Sequence, residues 1–133
     1  MTKELEMAEK GISRSRQDYL KTIFILNHTL GWSRAVDVAK KMGHSSASVS
    51  IALDKLEKEG FISKGVRGDI FLTTAGEEIA KMVSEKHEFF KELLQKAGVE
   101  AEVADREACG IEHEISEESY LKIREYLQTK DIG

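Results

Sequence analysis

The chain has 133 residues, 41% hydrophobic and 33% charged, an ordinary balance for a globular protein of one domain or two small ones sharing a core. No stretch approaches the ~20 consecutive apolar residues of a membrane-spanning helix, and Met1–Met7 lacks the apolar run of a secretion signal. One cysteine, Cys109, excludes an internal disulfide, so the expected setting is the reducing cytoplasm, with no membrane partner.

The net charge of −4 is unevenly spread. Residues 1–80 hold 12 Lys and Arg against 11 Asp and Glu, whereas residues 81–133 hold 8 against 13. A near-neutral front half can gather basic residues on one face while an acidic back half avoids a polyanion. Charge therefore permits nucleic-acid binding without arguing for it.

Residues 1–11 are polar and are expected to fray or to begin the first helix. From Gln17 to Leu30, Tyr19, Leu20, Ile23, Phe24, Ile25 and Leu26 predict an apolar helix that stops near Gly31. Ser33 is the expected N-cap of a short second helix, whose stripe Ala35, Val38, Ala39 and Met42 is closed by Gly43. Ser45 or Ser46 caps a third, with Val49, Ala52, Leu53 and Leu56 in the same spacing and Gly60 as its stop.

The period then changes. Phe61–Lys64 and Asp69–Thr73 read as two short strands joined by Gly65-Val-Arg-Gly68, a hairpin with glycines where positive φ is needed. Thr73 or Thr74 caps a long helix that ends near Gly98. Two more helices follow, about Ala101–Glu114 and, after the Ser116 cap, Glu117–Gln128. The fold class is mainly α with a small β-hairpin wing. Residues 1–74 read as a winged helix-turn-helix unit and residues 75–133 as a second, helical domain.

Two short helices joined by a glycine-containing turn, the second presenting small polar residues, match a helix-turn-helix. Ser46, Ala47, Ser48, Ser50 and Ile51 face away from the buried stripe of the third helix, together with Asp54 and Lys58. Small residues let a helix sit deep in a major groove, where hydroxyls meet base edges or phosphates and Ala47 and Ile51 meet thymine methyls. Lys64 and Arg67 on the hairpin are positioned to reach phosphate. Any one of these residues reads equally well as ordinary solvated surface. The array as a whole points to double-stranded DNA.

The sharpest chemistry lies in Glu107-Ala-Cys109-Gly-Ile-Glu112-His113. On a helix, Cys109, Glu112 and His113 fall at i, i+3 and i+4 and converge on one face. Thiolate, carboxylate and imidazole are a plausible ligand set for a transition metal. His87 in the long helix offers another nitrogen, and Asp18 is a carboxylate inside an otherwise apolar helix. Each also has a bland reading: core cysteine, hydrogen-bonded histidine, solvated aspartate.

The chain resembles the iron- and manganese-dependent repressors, the family of the diphtheria toxin repressor and the manganese transport regulator. The likeness runs from about Arg16 to Leu127. It rests on Gln17-Asp-Tyr-Leu, Ser48-Val-Ser with Leu56-Glu-Lys-Glu-Gly-Phe-Ile62, Leu72-Thr-Thr-Ala-Gly76, Lys86-His-Glu, and Glu107-Ala-Cys-Gly-Ile-Glu-His-Glu-Ile-Ser116. The resemblance implies a homodimer through the helices after the wing, and a repressor that binds a palindromic operator when loaded with Fe²⁺ or Mn²⁺. Zn²⁺, Co²⁺ or Ni²⁺ would substitute in vitro, and no organic cofactor is expected. It also implies Asp18, His87, Cys109, Glu112 and His113 as metal ligands. Lys21 stands where manganese regulators have a second first-helix carboxylate. Lys91 and Asp105 stand where iron regulators have accessory ligands, so one principal site per subunit is expected. The chain stops where longer members continue into a β-rich third domain, which resembles the short, two-domain type.

By linkage, a metal that draws Asp18 to the back-half ligands would favour one orientation of the reading heads, about one DNA turn (~34 Å) apart. A winged-helix regulator answering a small organic ligand, or none, is the alternative and would bind its operator without metal. A metalloenzyme is the third reading. No glycine-rich phosphate loop or activated nucleophile accompanies the site, so an enzyme is not expected.

Overall fold

Ser13 opens the first element of the structure, a computed structural model that describes residues 13–129. The expectation for residues 1–11 lies outside the described residues. The Ser13 hydroxyl accepts from the Arg16 backbone N–H at 3.3 Å and starts helix α1, Arg14–Leu30, three residues before the expected start at Gln17. Tyr19, Leu20, Ile23 and Leu26 are buried, and Gly31 ends the helix at φ 86°.

Helix α2 spans Ala35–Met42, and its N-cap is not Ser33. Arg34 occupies the cap position, its backbone N–H donating to Asp37 Oδ2 at 2.9 Å. Ser33 is buried instead and donates to Asn27 Oδ1 at 2.7 Å, while Asn27 Nδ2 donates to the Ile70 carbonyl. The serine thus ties α1 to the second strand, a contact distant in sequence. Val38 and Ala39 are buried as the periodicity requires, but Ala35 is exposed.

Ser45 caps α3, Ser46–Lys58, with its hydroxyl accepting from the Ser48 N–H at 3.2 Å. Val49, Leu53 and Leu56 are buried. Each such side chain contributes about 1.5–3 kcal/mol when withdrawn from water, which fixes which face α3 turns outward. Strands β1, Ile62–Lys64, and β2, Ile70–Leu72, pair antiparallel with Ile62 opposite Leu72 and Lys64 opposite Ile70. Only Gly68 of the two hairpin glycines has positive φ. At Gly65 a Cβ would lie 3.0 Å from the half-exposed Phe71 ring, which would have to shift.

Thr73 then caps the long helix α4, Thr74–Lys96, its hydroxyl accepting from Gly76 N–H and donating to the Gly60 carbonyl. Helix α5 spans Ala101–Glu114, and α6, Glu117–Thr129, is capped by the Ser116 hydroxyl, which accepts from Ser119 N–H at 3.0 Å.

The described chain forms two units, residues 13–81 and residues 82–129. The first is built of α1–α3, the hairpin and the start of α4. The second has its own small core of Met82, Phe90, Ala108 and Tyr120. Phe89, Leu93, Ile111, Ile115, Leu121 and Ile123 pack on that core and stay partly exposed. Among the described residues no helix is long and apolar enough to cross a membrane.

Gly76 sits where the start of α4 meets the strand side of the first unit. A Cβ there would lie 2.0 Å from the Phe61 carbonyl oxygen, which already accepts the Thr73 N–H. Backbone cannot step aside as a flexible side chain can, so Gly76→Ala is expected to destabilise by about 3 kcal/mol or more, the upper end of overpacking costs. The check is the midpoint of denaturant unfolding, and an unchanged midpoint would contradict the close approach.

Candidate metal centre and nucleic-acid interface

Helix α5 presents Asp105, Cys109, Glu112 and His113 at i, i+4, i+7 and i+8, one face along two turns. Ala104 and Ala108 of the same helix are fully buried. From α4, His87 is 8% exposed and its Nδ1 lies 2.9 Å from Glu112 Oε1. Glu112 is 0% exposed. A carboxylate so withdrawn from water carries a desolvation cost of several kcal/mol, offset here by the imidazole. The other ring nitrogen, Nε2, meets Asp105 Oδ1 at 2.8 Å.

Cys109 and His113 are half-buried, and their donor atoms lie within 4.8 Å of each other. Four of the five expected ligands, His87, Cys109, Glu112 and His113, thus belong to one unit and to two packed helices. Asp18 stands half-buried on α1 of the other unit, one turn before Lys21, which is also half-buried. Soft sulfur, borderline nitrogen and hard oxygen donors together suit a divalent first-row transition ion, and the residues present fit such a group.

Asp105 entered the sequence reading only as a departure from a ligand pattern, yet it contacts His87 directly. Its place one turn before Cys109 on the same face was the available signal. The His87 hydrogen bond, with smaller help from charge on His87 and Lys91, holds its carboxyl below the ordinary carboxylate range against the opposing effect of burial. Lys91 Nζ lies 3.5 Å from the same Oδ1.

On the reading side, Ser46, Ala47, Ser48 and Ser50 of α3 are exposed and Ile51 is 60% exposed. An apolar side chain held in water by the start of a helix has no packing reason to be there. Ser48 Oγ also accepts from Ser45 Oγ at 3.0 Å. Arg67 is exposed in the turn of the hairpin. Lys64 leans back to α3, 2.6 Å from Asp54 Oδ1 and 3.8 Å from Glu57 Oε1. That pairing, chiefly its hydrogen bond, lowers the Asp54 pKa.

The sequence reading missed a cleft of about 530 Å³ between the start of α1 and the outer face of α3, whose lining includes Arg16, Tyr19, His44, Ser48 and Lys55. Tyr19 Oη and His44 Nδ1 meet there at 2.9 Å. Arg16 pairs with Glu59 across the same surface. Nothing in the local pattern joins residues 16 and 55, because only the crossing of α1 and α3 does so.

Residues 11–66 match the model for the iron-dependent repressor N-terminal DNA-binding domain, and residues 73–131 that for the iron-dependent repressor metal-binding and dimerisation domain. The chain belongs to the iron-dependent repressor family. It is 35% identical over 111 residues to the transcriptional regulator MntR of Escherichia coli, covering 84% of this chain and 72% of that one. It superposes on T. acidophilum IdeR with a TM-score of 0.71 at 29% identity, covering 84% of this chain and 53% of the other. The manganese regulator SloR gives 0.73 at 26% identity, with 85% and 53% covered. The chain therefore spans about half the length of those two solved chains. The family is one of metal-dependent transcriptional regulators and not of enzymes, and its two domains imply DNA and a second copy of the chain as partners.

The Asp54–Lys64 pair yields a direct expectation for this repressor-family surface. Asp54→Asn removes a negative charge from the reading helix and releases Lys64. Binding to DNA of any sequence should tighten, and the slope of log K against log salt should steepen by about one, the value of one added phosphate contact. DNA titrations at several salt concentrations measure this. An unchanged slope would mean that Lys64 stays with α3 on DNA.

Proposed function

We propose that the chain is a cytoplasmic, metal-responsive repressor that binds a palindromic operator as a homodimer, with Fe²⁺ or Mn²⁺ as the physiological ion. The observation that carries this reading is the buried His87–Glu112 contact on the two helices that also carry Cys109 and His113, in a matching metal-binding domain. A buried polar cluster of this composition has no role in apolar packing, and it is the chemistry that a borderline divalent ion selects.

His87, Cys109, Glu112 and His113 would hold the ion, with Asp18 supplied by the DNA-binding domain. When bound, the ion supplies positive charge that several carboxylate, imidazole and thiolate groups can share. Asp18 then couples the reading helix to that charge, so metal and DNA raise each other's affinity by the same factor. Ser46, Ala47, Ser48, Ser50 and Ile51 read the major groove, and Arg67 meets phosphate. Arg16, His44 and Lys55 add a basic rim to the same face. Lys64 joins the phosphate contacts once it leaves Asp54.

The partly exposed apolar side chains of residues 82–129 supply the surface for dimerisation. Two reading heads on one two-fold axis match the two half-sites of a palindrome. The mixed ligand set includes one thiolate, and that favours Fe²⁺ or adventitious Zn²⁺ over Mn²⁺ relative to a site with carboxylate at position 109.

Calorimetric titration with Mn²⁺ and Fe²⁺, followed by operator-type DNA titration, tests the reading. Glu112→Ala should abolish tight metal binding. Asp18→Ala should retain appreciable metal binding while losing the coupling to DNA, typically 5–150-fold in affinity (about 1–3 kcal/mol) for linked sites. Cys109→Glu should shift preference towards Mn²⁺. DNA binding by the wild-type protein that is equally tight with and without metal would overturn the proposal.

A further inference from the structure

The buried imidazole of His87 has a carboxylate at each nitrogen, Glu112 at Nδ1 and Asp105 at Nε2. The two carboxylates are not equivalent. Glu112 is fully buried, whereas the Asp105 side chain is 58% exposed and lies 3.5 Å from the Lys91 ammonium. His87 and Lys91 are i and i+4 on α4, so both reach the same Asp105 oxygen from one helix face. An ammonium already at that carboxylate makes it a poor seat for a metal ion, because a second positive charge would be placed close to the first.

A neutral imidazole carries one proton and offers one lone pair. Without metal, Nδ1 meets Glu112 Oε1 at 2.9 Å, a contact that needs a proton between them; a metal ion at Nδ1 replaces that proton, and the proton on Nε2 donates to Asp105. The opposite tautomer would turn an N–H towards the metal site and set a lone pair against the Asp105 carboxylate. We propose that Asp105 is a positioning residue. It accepts the Nε2 proton of His87 and fixes the tautomer and ring plane that present Nδ1 to the metal, while Lys91 neutralises it and keeps it out of the ligand set. The inference rests on the metal-centre reading above, and it goes beyond it by giving Asp105 and Lys91 a role as a pair.

The test uses the full chain with Zn²⁺ as a diamagnetic probe and Mn²⁺ in parallel. Wild type, Asp105→Ala and Asp105→Asn are titrated by calorimetry, and the His87 ring nitrogens are observed by ¹⁵N NMR in the Zn²⁺-loaded proteins. Wild type should show a protected Nε2–H on His87. Asp105→Asn keeps an oxygen acceptor without the charge, so the signal and most of the affinity should remain. Asp105→Ala should lose the protected proton and bind metal about 10–100-fold more weakly, the usual effect of removing a partner behind a ligand. Metal stoichiometry should be the same in all three.

A loss of one metal equivalent in Asp105→Asn would overturn the proposal and make Asp105 a ligand. Unchanged affinity and an unchanged His87 spectrum in Asp105→Ala would overturn it by leaving Asp105 idle. Wild type that binds neither metal would overturn this inference and the metal-centre reading together, so the two failures are distinguishable. Asp105 is largely exposed, and thermal melting of both variants monitors folding. Should Asp105→Ala not fold, the comparison of Asp105→Asn with wild type still decides between acceptor and ligand.

Discussion

The second unit is organised around a carboxylate that water does not reach. Glu112 is withdrawn from solvent on α5, and it is tolerable there because His87 on α4 meets it at 2.9 Å. Removing one member of such a pair strands the other and typically costs about 3–5 kcal/mol. The contact therefore fixes the separation and rotation of two helices. Lys86, next to His87 in sequence and itself buried, donates to the Ile115 carbonyl at the end of α5. Cys109 and His113 are consequently carried on a helix that is held along its length and at its C-terminus.

The apolar packing of that unit explains why dimerisation and metal binding occupy one domain. Its buried cluster is small, and Phe89, Leu93, Ile111, Ile115, Leu121 and Ile123 remain only partly covered. Three helices with so little core gain from a second copy, since covering these side chains contributes about 25 cal/mol per Å². The edge-on contacts of Phe89 with Phe90 and Tyr120, at 5.1 and 5.5 Å between ring centroids, order the aromatic part of that surface within one chain.

The first unit solves a different problem, the rigid display of a short helix. Buried Val49, Leu53 and Leu56 fix the rotation of α3, the Ser45 cap fixes its start, and Thr73 and Gly76 clamp the strand side to the next helix. On the outward face charge is balanced. Asp54 is answered by Lys64 from the wing, which joins the reading helix to the hairpin. Trp32 and Asp69 share Arg34 in the same way, with the guanidinium 5.4 Å from the indole centroid and 3.3 Å from the carboxylate.

Local pattern determined most of the architecture. The buried Val38 and Ala39 of α2 and Val49, Leu53 and Leu56 of α3, the change of period at Phe61–Thr73, and the placing of Cys109, Glu112 and His113 on one helix face all follow from backbone geometry. A helix or strand imposes that geometry whatever surrounds it. Tertiary structure decided what depends on residues far apart in the chain. Ser33 had the chemistry of a cap, but Asn27 and the second strand claimed it as a buried tie, and Arg34 took the cap position. Gly65 looked like a residue chosen for positive φ, but its φ is not positive, and a Cβ there would meet the Phe71 ring at 3.0 Å. Asp105 and Lys91 read as departures from a ligand pattern until α4 and α5 packed and brought both to His87. Lys64, which read as a phosphate contact, was drawn to Asp54 by a hairpin that folds back on α3. Each of the polar side chains could satisfy more than one partner, and packing decided which one it meets in this structure.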